Sequence, residues 1–236
     1  MKRITAEKID PSIEGVLKKL VQVDLNFCVI GGMLCQYYLK EHARYTKDVD
    51  ILFLADPKMV EEKLKAVFGA IDFIYSEETE SFYEPAFTCF VKIEGLRGQL
   101  EGKRIEFLPE IKTEPYSYKD IVFQGVCLEY AIAEKLVALL SELPRPYKHL
   151  VDVYSFSWLD SSLLNKEAIK RYMSLINEQE NRFRKRAGLK EYVLPKKIPT
   201  DKHFTPPYAL PTLQGKYNAS QEELVARVNE WLTIVM

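Results

Sequence analysis

Two aspartates, Asp48 and Asp50, stand one residue apart in the run Lys47-Asp48-Val49-Asp50-Ile51-Leu52-Phe53, and a pair of glycines, Gly31-Gly32, precedes them. The apolar residues around the acids mark a strand. Side chains alternate faces along a strand, so Asp48 and Asp50 project to one side while Val49, Ile51 and Phe53 face the other. Two like charges held this close repel unless a cation sits between them. Such oxygen ligands suit Mg²⁺ (or Mn²⁺), which takes one or two carboxylates and completes its octahedron with water and substrate phosphates. The Gly-Gly turn fits the same chemistry, because glycine lets the backbone approach a ligand and the N-terminus of the following helix attracts phosphate. Each feature has a plainer reading. Asp-x-Asp by itself is commonly an exposed strand edge, and Gly-Gly by itself is commonly a turn. Their joint occurrence in one strand, turn, helix, strand unit from Phe27 to Phe53 shifts the balance towards a metal-phosphate site.

The rest of the chain must position that unit. With 236 residues, 47% of them hydrophobic, one or two domains with a sizeable core are expected. A net charge of -1 implies no global electrostatic pull towards nucleic acid. Cys28, Cys35, Cys89 and Cys127 form no Cys-x-x-Cys pair and lie in apolar settings, which reads as reduced core thiols of a cytoplasmic protein. His42, His149 and His203 have no ligand spacing. No apolar segment follows the basic N-terminus, so no signal peptide is expected, and no run approaches the ~18 residues of a membrane span.

Helix starts are signalled at Asp10-Pro11 and Asp56-Pro57, where Asp caps and Pro fits the first turn. Ile13, Val16, Leu17 and Leu20 give the first helix its packing face; Val60, Leu64, Val67 and Phe68 do so in the second, which ends at Gly69. Strands are expected at Ile71–Tyr75, Phe87–Ile93 and Arg104–Leu108, the last two joined by a Gly-containing loop. Tyr37 and Tyr38 could stack a base, but core packing is the favoured use. From Leu128 the period changes to about 3.6 and the chain becomes helical. Pro144 and Pro146 interrupt it, and a long helix from Asn165 to Ala187 ends in the basic cluster Arg182, Arg184, Lys185 and Arg186. That cluster reads as a solvated face before it reads as a nucleic-acid contact. A Pro-rich segment (195–211) precedes a last helix, Gln221–Val235.

The Gly-Gly turn, helix and Asp-x-Asp strand resemble the nucleotidyltransferase superfamily that includes DNA polymerase beta and the CCA-adding enzymes. More closely, Arg44-Tyr45-Thr46-Lys47-Asp48-Val49-Asp50 resembles the Arg-x-Thr-x-Asp-x-Asp run of the AbiEii/AbiGii abortive-infection toxin family. Gly32 stands where a Ser hydroxyl is often found. Ala133-Glu134-Lys135-Leu136, followed by Lys148, Asp152 and Tyr154, is similar to that family's second block, with His149 in place of an acid. The resemblance implies that Asp48 and Asp50 bind metal, that Gly31, Gly32, Arg44, Thr46 and Lys135 hold the triphosphate, and that Asp152 supports the site. From the residues alone, Arg44 reads equally as a surface salt bridge, and Lys135 as a lysine at the rim of an apolar face with its ammonium in water. Enzymes of this type use a third carboxylate on a later strand. Glu106, flanked by Ile105 and Phe107, is the best match, with Glu94 as its competitor.

The expectation is therefore an α/β (α+β) protein. A nucleotidyltransferase domain (1–119), with a small mixed sheet and flanking helices, is followed by a helical domain (120–236), the nucleotide lying between them. The implied activity is Mg²⁺-dependent transfer of a nucleoside monophosphate from an NTP to a hydroxyl of RNA, a tRNA end being favoured, by the toxin of a toxin and antitoxin pair. Two alternatives use the same site: a fold that binds nucleotide, RNA or protein without turnover, and an enzyme that nucleotidylates a protein.

Overall fold

The computed structural model describes residues 1–4, 8–76, 85–141, 147–198 and 219–236. Its centre is one mixed sheet of eight strands: β1 (Lys2–Ile4), β2 (Phe27–Ile30), β3 (Val49–Phe53), β4 (Ile71–Tyr75), β5 (Phe87–Ile93), β6 (Leu96–Arg104), β7 (Thr113–Tyr118) and β8 (Ile121–Val126). Their order is β1-β7-β8-β2-β3-β6-β5-β4. The most apolar strands, β2 and β3, lie in the middle, antiparallel to each other. β3 pairs in parallel with β6, and the hairpin partners β7 and β8 connect β2 to the short β1 edge. Ile121–Val126 belongs to this sheet, so the sheet continues beyond residue 119.

Seven helices accompany it: α1 (Ser12–Leu20), α2 (Gly32–Leu39), α3 (Pro57–Phe68), α4 (Leu128–Leu140), α5 (Tyr147–Phe156), α6 (Lys166–Arg186) and α7 (Gln221–Val235). Capping chemistry explains several of their ends. Asp56 accepts from the Lys58 amide ahead of α3, whose C-cap Gly69 has a φ of 79°. Asn165 accepts from the Ala168 amide, and Ser220 with Glu223 forms a capping box on α7. α1 turns Ile13, Val16, Leu17 and Leu20 onto β3, β5 and β6, all of them buried. α4 is buried almost all round, against α2, α5 and α6, and α7 docks its buried face on α5.

One strand departs from expectation. Arg104–Leu108 is not a strand: β6 starts at Leu96, ends at Arg104, and the chain then turns through a short 3-10 segment at Leu108–Glu110. The hairpin is a two-residue turn in which Glu94 and Gly95 both have positive φ (50° and 83°). Gly98 and Gly102 are thus inside the strand, where they read in the sequence as loop. Glycine is required there by packing: a Cβ on Gly98 would lie 2.5 Å from Val16, and one on Gly102 would lie 2.2 Å from the Phe87 ring.

Tyr37 and Tyr38 pack edge-on against each other and against Tyr116, with Lys2 over the rings, near the β1 edge. They are packing residues, as favoured. All four cysteines are free and buried, and burial pushes the thiols of Cys28, Cys35 and Cys89 up to about 12. Arg182 and Arg184 of the basic cluster are used locally, Arg182 with Glu106 at 3.1 Å and Arg184 with the Lys190 carbonyl at 2.7 Å. The break at Pro144 and Pro146, the acidic connection after Ser76 and most of the Pro-rich segment lie outside the described residues. Among the described residues no helix is long and apolar enough to cross a membrane.

Candidate active site

The parallel register of β3 and β6 sets Asp50 beside Glu101. Asp48, two residues before Asp50, projects to the same face, while Val49, Ile51 and Phe53 are fully buried on the other. Asp48, Asp50 and Glu101 accordingly offer carboxylate oxygens that all lie within 4.8 Å of one another. Among the described residues this is the one acidic, His or Cys cluster able to hold a metal ion. Hard oxygen donors at this spacing suit a divalent cation such as Mg²⁺, so the donor set fits.

The turn before α2 supports the cluster from below. Gly31 has a φ of 72°, and a Cβ there would lie 2.1 Å from Asp50 Oδ2, so this position needs glycine twice over. At Gly32 a Cβ would lie 2.5 Å from Thr46 Oγ1. A serine at 32 would therefore collide with Thr46, whose buried hydroxyl already fills that space and receives a long 3.4 Å hydrogen bond from Gln36.

Opposite the acids stands a cationic wall. A cavity of about 140 Å³ is lined by the three carboxylates together with Arg44, Lys103, Glu134, Lys135, Lys148 and His149, and by Pro85 and Ala138. Arg44 Nε donates to both oxygens of the buried Asp152 (3.0 and 3.2 Å). Lys103 Nζ donates to Glu134 Oε1 at 3.1 Å, and Lys135 Nζ lies 3.6 Å from Glu134 Oε2.

Charge placement shifts these groups in opposite directions. Burial, with repulsion from Asp48 and Glu101, pushes the Asp50 carboxyl up to about 7. Burial and Asp48 also raise Glu101, opposed by a 2.6 Å hydrogen bond from Gln99. Burial works against ionisation of Glu134 and Lys135 too. There, however, the cations Lys135 and Lys103 keep Glu134 below the usual carboxylate range, and Glu134 and Asp152 keep Lys135 above the usual ammonium range. The acids are thus short of positive charge, and the wall is charged and paired.

Residues 16–232 match the family model described as nucleotidyl transferase AbiEii toxin, Type IV TA system. The chain belongs to the AbiEii nucleotidyltransferase toxin family. No curated protein matches it. Among solved structures it is similar to JHP933 from Helicobacter pylori, at 13% identity and a TM-score of 0.48, covering 94% of this chain and 88% of that one. It is also similar to an antigenic nucleotidyltransferase-like protein from Paracoccidioides brasiliensis, at 11% identity and a TM-score of 0.47, covering 83% of this chain and 98% of that one.

In this AbiEii chain the expected site residues separate into three groups. Asp48, Asp50, Arg44 and Lys135 meet in the cavity. Gly31 abuts Asp50, Gly32 abuts Thr46, and Asp152 stands behind Arg44, so these four act at one remove. Arg44 and Lys135 are neither of the solvent-facing groups that their residue types allowed: Asp152 holds one, and Lys135 is 6% exposed.

Glu106 belongs to the third group. It lies beyond the end of β6, more than half exposed, paired with Arg182, its amide donating to Gln179 at 3.2 Å. The third acid of the cluster is Glu101, and Glu94 sits in the hairpin turn. Glu101 and Lys103 escaped the sequence reading because Gly98 and Gly102 looked like a loop. The usable signal was the alternation Gly98, Leu100, Gly102 against Gln99, Glu101, Lys103, in which the glycines hold the core-facing positions.

Proposed function

We propose that this protein transfers a nucleoside monophosphate from an NTP to a hydroxyl group of RNA, a tRNA end being the favoured acceptor, as the toxin partner of a cognate antitoxin. The observation that carries this reading is the convergence of Asp48, Asp50 and Glu101 within 4.8 Å, facing a wall of lysines and an arginine. Phosphoryl transfer needs little covalent help and is driven by positioning and charge stabilisation. Asp48, Asp50 and Glu101 would hold the divalent ions. A cation so bound polarises phosphoryl oxygens and makes the acceptor hydroxyl a better nucleophile. Arg44, Lys135 and Lys148 would neutralise the phosphate chain, with Asp152 fixing the plane of the Arg44 guanidinium. Glu101 is placed to accept the proton of the acceptor hydroxyl. Gly31 allows the Asp50 carboxylate to come close to the turn that opens α2.

The absence of a serine at residue 32 does not point to lost turnover, because the Thr46 hydroxyl fills that place. The test is incubation of the protein with each radiolabelled NTP and a total cell extract, followed by separation of RNA from protein. Label in RNA that disappears in Asp48→Ala and Asp50→Ala supports the reading. Label in protein transfers the acceptor to a polypeptide. Saturable NTP binding with no label in either fraction would leave a binding module.

A further inference from the structure

The Lys103, Glu134 and Lys135 arrangement asks for an explanation that the carboxylate cluster does not provide. Lys103 lies on β6 two residues beyond Glu101, hence on the same face, about 7 Å further along the strand. Glu134 and Lys135 are consecutive on α4, in the part of that helix that is buried all round. Glu134 is 3% exposed and receives both ammoniums, one on each carboxylate oxygen, at 3.1 and 3.6 Å. A single carboxylate thus stands between two cations. Burying charge is costly unless it is balanced, and here one negative charge serves two positive ones. Asp152 adds a second carboxylate, but it is committed to Arg44. Across the wall, Arg44, Lys103, Lys135 and Lys148 outnumber Glu134 and Asp152, and all four cations border the same cavity. A purely structural ion pair would need only one lysine and would have no reason to face a cavity.

We propose that Lys103 is a phosphate-binding residue, and that Glu134 is the positioning residue that holds Lys103 and Lys135 side by side as a twin-ammonium clamp for the phosphate chain of the NTP. This rests on the nucleotidyltransferase reading above. A monodentate carboxylate on each ammonium leaves further N–H groups of each lysine for phosphate oxygens, since an ammonium has three donors. The two lysines come from different elements, β6 and α4. The clamp therefore forms only when the helical layer is seated on the sheet.

The test is equilibrium binding of the four nucleoside triphosphates, as α,β-methylene analogues with Mg²⁺, beside the corresponding monophosphates. Lys103→Met keeps the length of the side chain and removes the charge. It should weaken triphosphate binding by at least about tenfold, the size of one lost charge-assisted hydrogen bond, while monophosphate binding stays within about twofold. Lys103→Arg should recover most of the loss. Glu134→Gln should lower the preference for triphosphate over monophosphate, a ratio that a merely structural role leaves unchanged even where the melting temperature falls. Equal triphosphate affinity in Lys103→Met and wild type, with the wild type binding, overturns the clamp alone. A wild type that binds none of the four analogues overturns the nucleotidyltransferase reading and the clamp together.

Discussion

Replacing Asp50 by Asn should make the metal-free protein more stable, by an amount that depends on pH. The Asp50 carboxyl is raised from 3.8 to about 7 by burial and by Asp48 and Glu101. A carboxyl whose folded value exceeds its unfolded one retains a proton in the folded state that the unfolded chain has released. Its contribution to stability is therefore greatest below about pH 4, declines as pH rises, and levels off above about pH 7. At about 1.4 kcal/mol per pH unit, the difference between 3.8 and about 7 comes to about 4 kcal/mol. An independent figure agrees in size: unit charges 4.8 Å apart at an effective dielectric constant of about 20 repel by roughly 3.5 kcal/mol. Allowing for relaxation, Asp50→Asn should recover about 2–4 kcal/mol at about pH 8, or roughly 5–10 °C in melting temperature for a chain of this length. Near pH 4.5 the gain should shrink to about 1 kcal/mol or less, because the native carboxyl is already protonated. Thermal melts of both proteins in EDTA at the two pH values measure this directly. Addition of millimolar Mg²⁺ should then raise the melting temperature of the wild type and leave Asp50→Asn nearly unchanged. A variant that melts at or below the wild type at about pH 8 in EDTA would refute the claim that these three acids repel one another in the folded protein.

Three further outcomes follow from the same geometry. Glu101→Gln should reduce nucleotide incorporation by about 10²-fold or more, while Glu106→Gln leaves the rate within about twofold, as read from initial rates with labelled NTP. Gly31→Ala should cost about 1–3 kcal/mol through its positive φ, and should also lower activity because its methyl group displaces the Asp50 carboxylate; Gly69→Ala, with a similar φ but nothing within 4 Å, should cost stability alone, so urea melts beside activity assays separate the two. Arg44→Met should cost about 3 kcal/mol in urea unfolding, because it leaves the buried Asp152 without its partner, and Asp152→Asn made in that background should restore part of the loss.

Much of the architecture was already legible along the chain, for a local reason. α3 is announced by Asp56, Pro57 and Gly69, and α7 by Ser220 and Glu223, all within a few residues of the ends they cap. The Asp48 and Asp50 pair and the Gly31 turn were equally readable, since strand alternation and a positive φ are properties of short segments. β7 and β8 were not foreseen as strands, and Glu101 was not foreseen as a ligand. Glycine at 98 and 102 carries the same letter whether a loop needs freedom or a core needs room for Val16 and Phe87.

The residue types of the site were determined by the primary structure: acids on a strand after a glycine turn, and an arginine and lysines further along. Which of those acids meet was decided by the pairing of β3 with β6, a contact across some fifty residues that puts Glu101 in register with Asp50 and leaves Glu106 past the strand end. The state of the lysines was decided in the same way. Only the packing of α4 against the sheet brings Glu134 and Lys135 to Lys103, and burial there makes one carboxylate between two ammoniums a fixed feature rather than a passing surface contact.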